Sequence, residues 1–505
     1  MQLTIDGRIV EVADDSATLL DVLRATAGAY SVKDGCSPQG QCGCCTVLVD
    51  GQPRVSCVTP VRRVRGRSIV TSDGLDPDVS AAWGAAFTAT GGSQCGFCTP
   101  GIICRFEGLR SKGAAHDDRD VAAKALQAHL CRCTGWQPIV DAWVAFGRDA
   151  PDVDNAAAAR AALEGGVAQV VGPEVALGRG GFADDSAPTN ALVAVPKGDG
   201  WAVADSRAAA LRLAGKVQGR RTTADFAPPL ELPEGEWQRT LRTSWVEPGY
   251  LETDAAWCEP GGEPASPLEN GGAFGAKSTS EVGAVARRLA DEHGRPVRVL
   301  YAREDAVQRG PKRPPMAAGI RADGSGVVRV ARTPGVAAAI NSVAPGLVVE
   351  EIDVSGPPTS VDIRAAGWAE AAILLASLEA EESWIDSPGG GSAWASIAAD
   401  GSISVRVRAG DPLDETVLRS YCTGAAHMGL SWVTSESLGV DNAGEIHDLT
   451  IRSFGILRAI DTPPIEVMIE DQVGPAVAVS DAVFVAVAAA AWRVRGFPEV
   501  WPATT

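Results

Sequence analysis

Eight cysteines fall into two sets of four within residues 36–133. Cys36, Cys42 and Cys45 share the run Gly35-Cys36-Ser-Pro-Gln-Gly-Gln-Cys42-Gly-Cys44-Cys45, and Cys57 lies a little further on. In the second set Cys95 and Cys98 form a Cys-Gly-Phe-Cys pair, and Cys131 and Cys133 a Cys-Arg-Cys pair. Four ionised thiolates held close together are what one [2Fe–2S] centre requires, and the first spacing approximates the plant-type ferredoxin run. Two such sets in succession would carry electrons one at a time. Gly35, Gly40 and Gly43 suit a loop that wraps a cluster, where positive φ and close approach of backbone N–H groups are needed. A structural zinc site in each set is the alternative, because Cys-x2-Cys pairs are common there. Zinc ribbons present two spaced knuckles, which the asymmetric first loop and the Cys-x-Cys pair fit poorly. Cys44, Cys104, Cys258 and Cys422 are left over and read as small buried hydrophobes.

These thiols need elements that bring them together. Residues 1–75 read as short strands with one helix over 18–27, and Asp50-Gly51 is a hairpin signal between two β-rich runs. Residues 76–148 change to Ala-rich helical periodicity near 79–88, 101–110, 121–130 and 139–146. A four-helix domain is expected there, holding the second set in its loops and helix ends. Residues 149–166 read as a linker. Beyond it the chain is mixed α/β, divided into 167–335 and 336–505 at a Pro/Gly-rich stretch. Asp400-Gly401 marks another hairpin, and residues 482–492 a buried Ala-rich helix. The fold class expected is α+β multidomain: a β-grasp, plant-type ferredoxin-like domain, a four-helix [2Fe–2S] domain, and then a mixed α/β region.

Composition narrows the function classes. The 505 residues have room for three or four domains. A net charge of −18 argues against a nucleic-acid partner, since phosphate binding needs basic surface. The basic runs Arg62-Arg63-Val-Arg65-Gly-Arg67 and Arg309-Gly-Pro-Lys312-Arg313 are short and read as solvated faces or docking patches. No apolar run reaches spanning length, so membrane insertion is not expected. The start lacks a basic n-region and an apolar h-region, which makes a cytoplasmic location the expectation. In a reducing compartment clustered cysteines mean metal.

Residues 1–148 resemble the iron–sulfur subunit of the xanthine dehydrogenase (molybdenum hydroxylase) family. The motifs that carry the resemblance are Gly35-Cys36…Cys42-Gly43-Cys44-Cys45-Thr46-Val47, Gln94-Cys95-Gly96-Phe97-Cys98-Thr99-Pro100-Gly101 and Leu130-Cys131-Arg132-Cys133-Thr134-Gly135-Trp136. The resemblance assigns Cys36, Cys42, Cys45 and Cys57 to a distal cluster. It assigns Cys95, Cys98, Cys131 and Cys133 to a cluster nearer molybdenum. Five residues separate Cys36 from Cys42 where the family usually has four, which implies a one-residue bulge and leaves Cys44 as an alternative ligand.

From about residue 167 the chain is similar, over fewer positions, to the molybdenum-cofactor subunit of the same family. Asn270-Gly271-Gly272-Ala273-Phe274-Gly275-Ala276-Lys277 matches its glycine-rich loop. Gln94, Gly271, Gly272, Phe274 and Gly275 thereby become candidate cofactor contacts, and open backbone N–H groups suit a pterin phosphate. The region is much shorter than the family's subunit and lacks its Gly-Gln-Gly motif. The family's base, a Glu in Val-Gly-Glu, corresponds to Asp481 in Val479-Ser480-Asp481. One missing methylene would displace that carboxylate by about 1 Å. The other reading of Ser480 or Asp481 is a helix N-cap.

The resemblance implies an oxidoreductase, acting as a subunit of a heteromeric complex. This chain would pass electrons singly from a molybdenum–pterin centre through two [2Fe–2S] clusters to a flavin. No dinucleotide fingerprint is present, so FAD is expected on a partner subunit and molybdopterin mainly on another. The alternatives are a self-contained molybdopterin-binding hydroxylase chain and a non-catalytic scaffold with structural clusters.

Overall fold

The structure, a computed structural model, describes residues 1–149, 154–216, 219, 222–266 and 272–503. At the N-terminus, helix Leu19–Ala25 turns Leu19, Leu20, Val22 and Leu23 onto a mixed sheet. Thr18 caps it, its side chain accepting from the N–H of Asp21 at 3.1 Å. The sheet has five strands in the order Arg8–Glu11, Gln2–Ile5, Ser68–Val70, Thr46–Val49, Gln52–Val55. Thr46–Val49 is buried on both faces, whereas the edge strand Gln52–Val55 alternates exposed and half-buried. Asp50 (φ 47°) and Gly51 (φ 73°) form the tight turn between them, as the hairpin signal requires.

Four helices follow: Pro77–Thr90, Thr99–Arg110, Arg119–Ala125 and Gln137–Ala145. Their core is aromatic, with Trp83 stacked on Phe106 (5.7 Å) and Trp143 (6.1 Å). The buried Trp83 indole N–H donates to Glu107 at 3.1 Å, which removes the cost of leaving that group unpaired.

The remaining chain builds three four-stranded sheets. Two expectations are corrected here. The stretch 149–166, read as a linker, contains helix Asn155–Gly165, whose Arg160 and Glu164 are buried. Its Ala-rich sequence carried no flanking apolar stripe, so the tertiary contact that orders it was not visible locally. The division at residue 335 crosses a single sheet: Gly326–Ala331 pairs in parallel with Leu347–Ile352 through the intervening helix Val336–Val343. Parallel neighbours need such a crossover, and the Pro/Gly-rich stretch begins one rather than ending a domain. Asp400-Gly401 does join the antiparallel strands Ser392–Ile397 and Ile403–Arg408. Two long helices, Glu415–Thr434 and the buried Ser480–Val494, pack together beneath that sheet. The class is α+β multidomain, as expected.

Candidate functional site

Both cysteine sets assemble. In the first, the Cys36 thiol lies at hydrogen-bonding distance from Cys42 and Cys57, and Cys57 from Cys45. The N–H groups of Gln39 (3.2 Å) and Gln41 (3.5 Å) donate to Cys36 Sγ, and that of Cys57 to Cys45 Sγ (3.5 Å). Ser37 in this loop adopts φ 48°. The neighbouring thiols and these N–H groups hold Cys36 well below the usual thiol range, while crowding by Cys36 and Cys45 pushes Cys57 up. Four thiolates this close need a cation to coexist. Cys44 is buried, and its thiol sits beside that of Cys42.

The second set is formed where the loops meet the helix starts. Cys95 and Cys133 Sγ are 3.6 Å apart, and Cys98 lies at hydrogen-bonding distance from Cys131. Cys98 and the Thr134 hydroxyl, 3.2 Å from Cys131 Sγ, help draw Cys131 down to about 6 against the opposing effect of burial. Two tetrahedral ligands of one metal with bonds of about 2.3 Å sit about 3.8 Å apart. The Cys95 and Cys133 thiols meet that spacing. Among the described residues no three His, Cys, Asp or Glu side chains converge on one ion. The residues of each set fit a [2Fe–2S] cluster.

The sets adjoin each other. The N–H of Leu130, next to Cys131, donates to the Cys42 carbonyl at 2.9 Å. A Cβ on Gly35 would touch Cys42 Sγ and Cys44 Sγ at 3.1 Å and Phe97, between Cys95 and Cys98, at 3.2 Å. His129 is buried against Gly43, and desolvation lowers it to about 3.

The C-terminal region closes over the second set. Arg132, between Cys131 and Cys133, forms a two-pronged pair with Glu436, one prong being Nη2–Oε2 at 2.8 Å. Its Nε donates to the Pro248 carbonyl at 2.8 Å. Gln94 donates to the Cys133 carbonyl at 3.0 Å and to Ser420 Oγ at 2.9 Å. Gly424 on helix Glu415–Thr434 meets the same loop: a Cβ there would lie 1.7 Å from the Cys133 carbonyl oxygen. Gly424→Ala is therefore expected to cost about 1–3 kcal/mol or more through overpacking. Urea denaturation measures this, and a loss below about 0.5 kcal/mol would contradict the contact.

Gly272 (φ 80°) lies on Cys95 and Cys133; an added Cβ would meet Cys95 Cβ at 3.1 Å and both thiols at 3.3 Å. Gly275 abuts Asp362, whose carbonyl oxygen would be 1.7 Å from an added Cβ. Gly271 lies outside the described residues. Phe274 is covered by the Arg364 guanidinium, 4.9 Å from its ring centre. Arg364 Nε in turn pairs with Asp481 at 2.9 Å. Gln94 and Gly272 thus touch the second set directly. Phe274 and Asp481 are joined through Arg364, an intermediary that sequence reasoning missed.

The cap reading for Ser480 and Asp481 is corrected. Helix Ser480–Val494 begins after Val479, and the buried Glu164 carboxylate accepts from the N–H of Ser480 at 2.9 Å and of Val479 at 3.2 Å. A longer carboxylate from another helix reaches these groups. Asp481 itself turns to Arg364, and its side chain is 44% exposed.

A small cavity of about 10 Å³, room for about one water, remains beside the second set, lined by Cys95, Cys133, Gly272, Arg132, Lys277 and Glu252. A pterin phosphate buried here would need a cation. Both cations that line it are already paired, Arg132 with Glu436 and Lys277 with Glu252 at 2.7 Å. The described residues therefore do not fit a molybdopterin in this cavity.

Burial pushes Glu252 up from 4.5 to about 7 despite Lys277. A carboxyl raised in this way adds stability below about pH 4.5 that is lost as pH rises through about 7. Glu252→Gln should remove about 3 kcal/mol of that decline. Urea midpoints at pH about 5 and about 7.5 check it, and an unchanged difference between them would count against the shift.

Comparison with known proteins follows the same division. Residues 3–64 match the model of a 2Fe-2S iron–sulfur cluster binding domain, and residues 71–144 that of a [2Fe-2S] binding domain. The aldehyde oxidoreductase of Megalodesulfovibrio gigas is 44% identical over 133 residues, 26% of this chain. That match spans only 14% of the relative's length. The caffeine dehydrogenase subunit gamma of Pseudomonas sp. (strain CBB1) is 36% identical over 147 residues, 28% of this chain and 87% of the subunit. Over nearly the whole molecule, the solved structure of aldehyde oxidoreductase from Desulfovibrio gigas superposes with a TM-score of 0.68. It covers 97% of both chains at 15% identity, so that likeness concerns the fold. No helix among the described residues is long and apolar enough to cross a membrane. With two [2Fe–2S] domains and a subunit-length relative covered almost end to end, the chain belongs to the xanthine dehydrogenase (molybdenum hydroxylase) family of oxidoreductases through its iron–sulfur part.

Proposed function

We propose that this chain is the electron-transfer component of a molybdenum hydroxylase-type oxidoreductase. In this reading Cys36, Cys42, Cys45 and Cys57 hold one [2Fe–2S] cluster, and Cys95, Cys98, Cys131 and Cys133 the other. Each cluster, when bound, supplies a centre that takes up and releases one electron. The protein's part is to hold the two thiol sets next to each other and exclude water from both. The observation that carries the proposal is the contact between them: the Leu130–Cys42 hydrogen bond and the shared packing around Gly35 leave little protein in between.

Electrons would enter from a molybdenum–pterin centre on a partner subunit and leave towards a flavin on another. The paired cations around the second set favour this over a self-contained hydroxylase. The relative named a subunit gamma supports membership of a heteromeric complex. A purely structural use of the clusters would not require two sets in contact. Asp481, tied to Arg364, is assigned no proton-transfer step.

Anaerobically purified protein should be red-brown, carry about four irons and give two reduced-state EPR signals. Colourless protein containing zinc would overturn the proposal. Molybdenum retained stoichiometrically by the isolated chain would favour the self-contained reading instead.

A further inference from the structure

Three basic side chains converge around Gly43, and none of them has a carboxylate partner among the described residues. A Cβ on Gly101 would collide with the Gly43 carbonyl, so helix Thr99–Arg110 packs directly on that glycine. Arg105, one turn further along, lies on the same face of the helix. His129 reaches Gly43 from the loop before Cys131: a Cβ on Gly43 would lie 2.5 Å from its Nδ1. Arg452 comes from the C-terminal region and straddles both loops. Its Nε donates to the Gln41 carbonyl and its Nη2 to the Gln127 carbonyl, each at 2.8 Å. Gln41 and Gln127 stand two residues before Gly43 and His129 respectively.

The polar atoms of this group are not satisfied by the protein. His129 is 1% exposed, yet neither ring nitrogen has a hydrogen-bond partner. Arg105 Nε is likewise buried without a partner, and no carboxylate acts on its guanidinium. Burial, Arg105 and Arg452 together keep the imidazole neutral, so it carries one N–H. The Nδ1 edge lies against the Gly43 Cα, which leaves Nε2 as the position open to a partner. Arg452 has the Cys36 and Cys42 thiols as its negative neighbours, whereas Arg105 has none. A buried donor left unmade is costly, and a buried charge left unpaired more so.

We propose that Arg105, His129 and Arg452 bind a phosphate-sized oxyanion at the seam between the two cysteine domains and the C-terminal region. Arg452 is exposed and Arg105 half-buried, so the ion enters from solvent and rests with His129 beneath it. The arginines supply charge and forked N–H donors, and His129 a neutral donor that fixes the ion's position. A water in the same place would accept one hydrogen bond but leave the Arg105 charge uncompensated. The occupied site ties together helix Thr99–Arg110, the loop before Cys131 and the segment around Arg452.

The test is calorimetric titration of the full, cluster-loaded chain with inorganic phosphate at an ionic strength of about 20 mM. One site is expected, with sulfate competing for it. Arg105→Gln should weaken phosphate about tenfold or more, and Arg105→Lys, which keeps the charge but not the fork, should fall between. In phosphate-free buffer Arg105→Gln should melt no lower than the unaltered chain, because it removes an unpaired cation. Added phosphate should then raise the Tm of the unaltered chain beyond the general salt gain that Arg105→Gln shows. Phenyl phosphate binding as tightly as phosphate identifies the free ion as the ligand; tighter binding identifies the phosphate group of a larger molecule. Iron content and the visible spectrum check that each variant is loaded, and if Arg105→Gln is not, Arg105→Lys carries the comparison. No heat of binding, or a phosphate affinity unchanged in both variants, would overturn the site. Binding does not depend on the electron-transfer role: colourless, zinc-loaded protein that still bound phosphate would overturn that role alone.

Discussion

Glu436→Ala is expected to destabilise the chain by about 3–5 kcal/mol, because it leaves Arg132 as an uncompensated buried charge. Both side chains are almost wholly inaccessible, at 3% and 1% exposure. Arg132 keeps one further acceptor, the Pro248 carbonyl, which cannot neutralise it. The damage should be local as well as global, since Arg132 separates two cysteines of the second set. The second EPR signal should broaden or be lost at denaturant concentrations that spare the first. Glu436→Gln keeps an acceptor without the charge and should fall between. Guanidinium denaturation followed by visible absorbance and EPR provides the measurement. A loss below about 1 kcal/mol would mean that the pair contributes no more than a surface ion pair.

The other large effect concerns the thiols themselves. Cys131→Ser should reduce the iron content from about four to about two per chain and abolish one EPR signal, because one iron of a cluster would keep a single thiolate. Cys57→Ser should remove the other signal. Cys104→Ser should leave about four irons, since it lies outside both sets, and so should Cys44→Ala if Cys42, the thiol beside it, is the ligand. If Cys44→Ala lost iron while Cys42→Ala did not, the first set would be Cys36, Cys44, Cys45 and Cys57, and the loop would be ligated in the other register.

Much of the iron–sulfur part was legible in the sequence. The Asp50-Gly51 hairpin, the Thr18-capped helix and the four helices of residues 77–145 all follow from turn chemistry and local periodicity. The parts that escaped depend on partners far along the chain. Helix Asn155–Gly165 read as a linker because its Ala run is indifferent to context. Its burial comes from Arg160, which donates to the carbonyls of Asp411 and Pro412, and from Glu164, which caps a helix 316 residues away. The false boundary at 335 arose because Pro and Gly mark turns within a sheet as readily as they mark linkers between domains.

The sequence by itself determined that this chain has two four-thiol centres, because ligation demands one residue type at short, recognisable spacings. It also determined the ferredoxin-like and helical scaffolds around them. Only the tertiary structure decided what surrounds those centres. Arg132 meets Glu436 across 304 residues, Arg364 holds Asp481, and Lys277 pairs with Glu252. None of these partnerships has a local signature, since each depends on which buried charge the fold brings within reach. Together they leave the cavity at the second centre without an unpaired cation among the described residues.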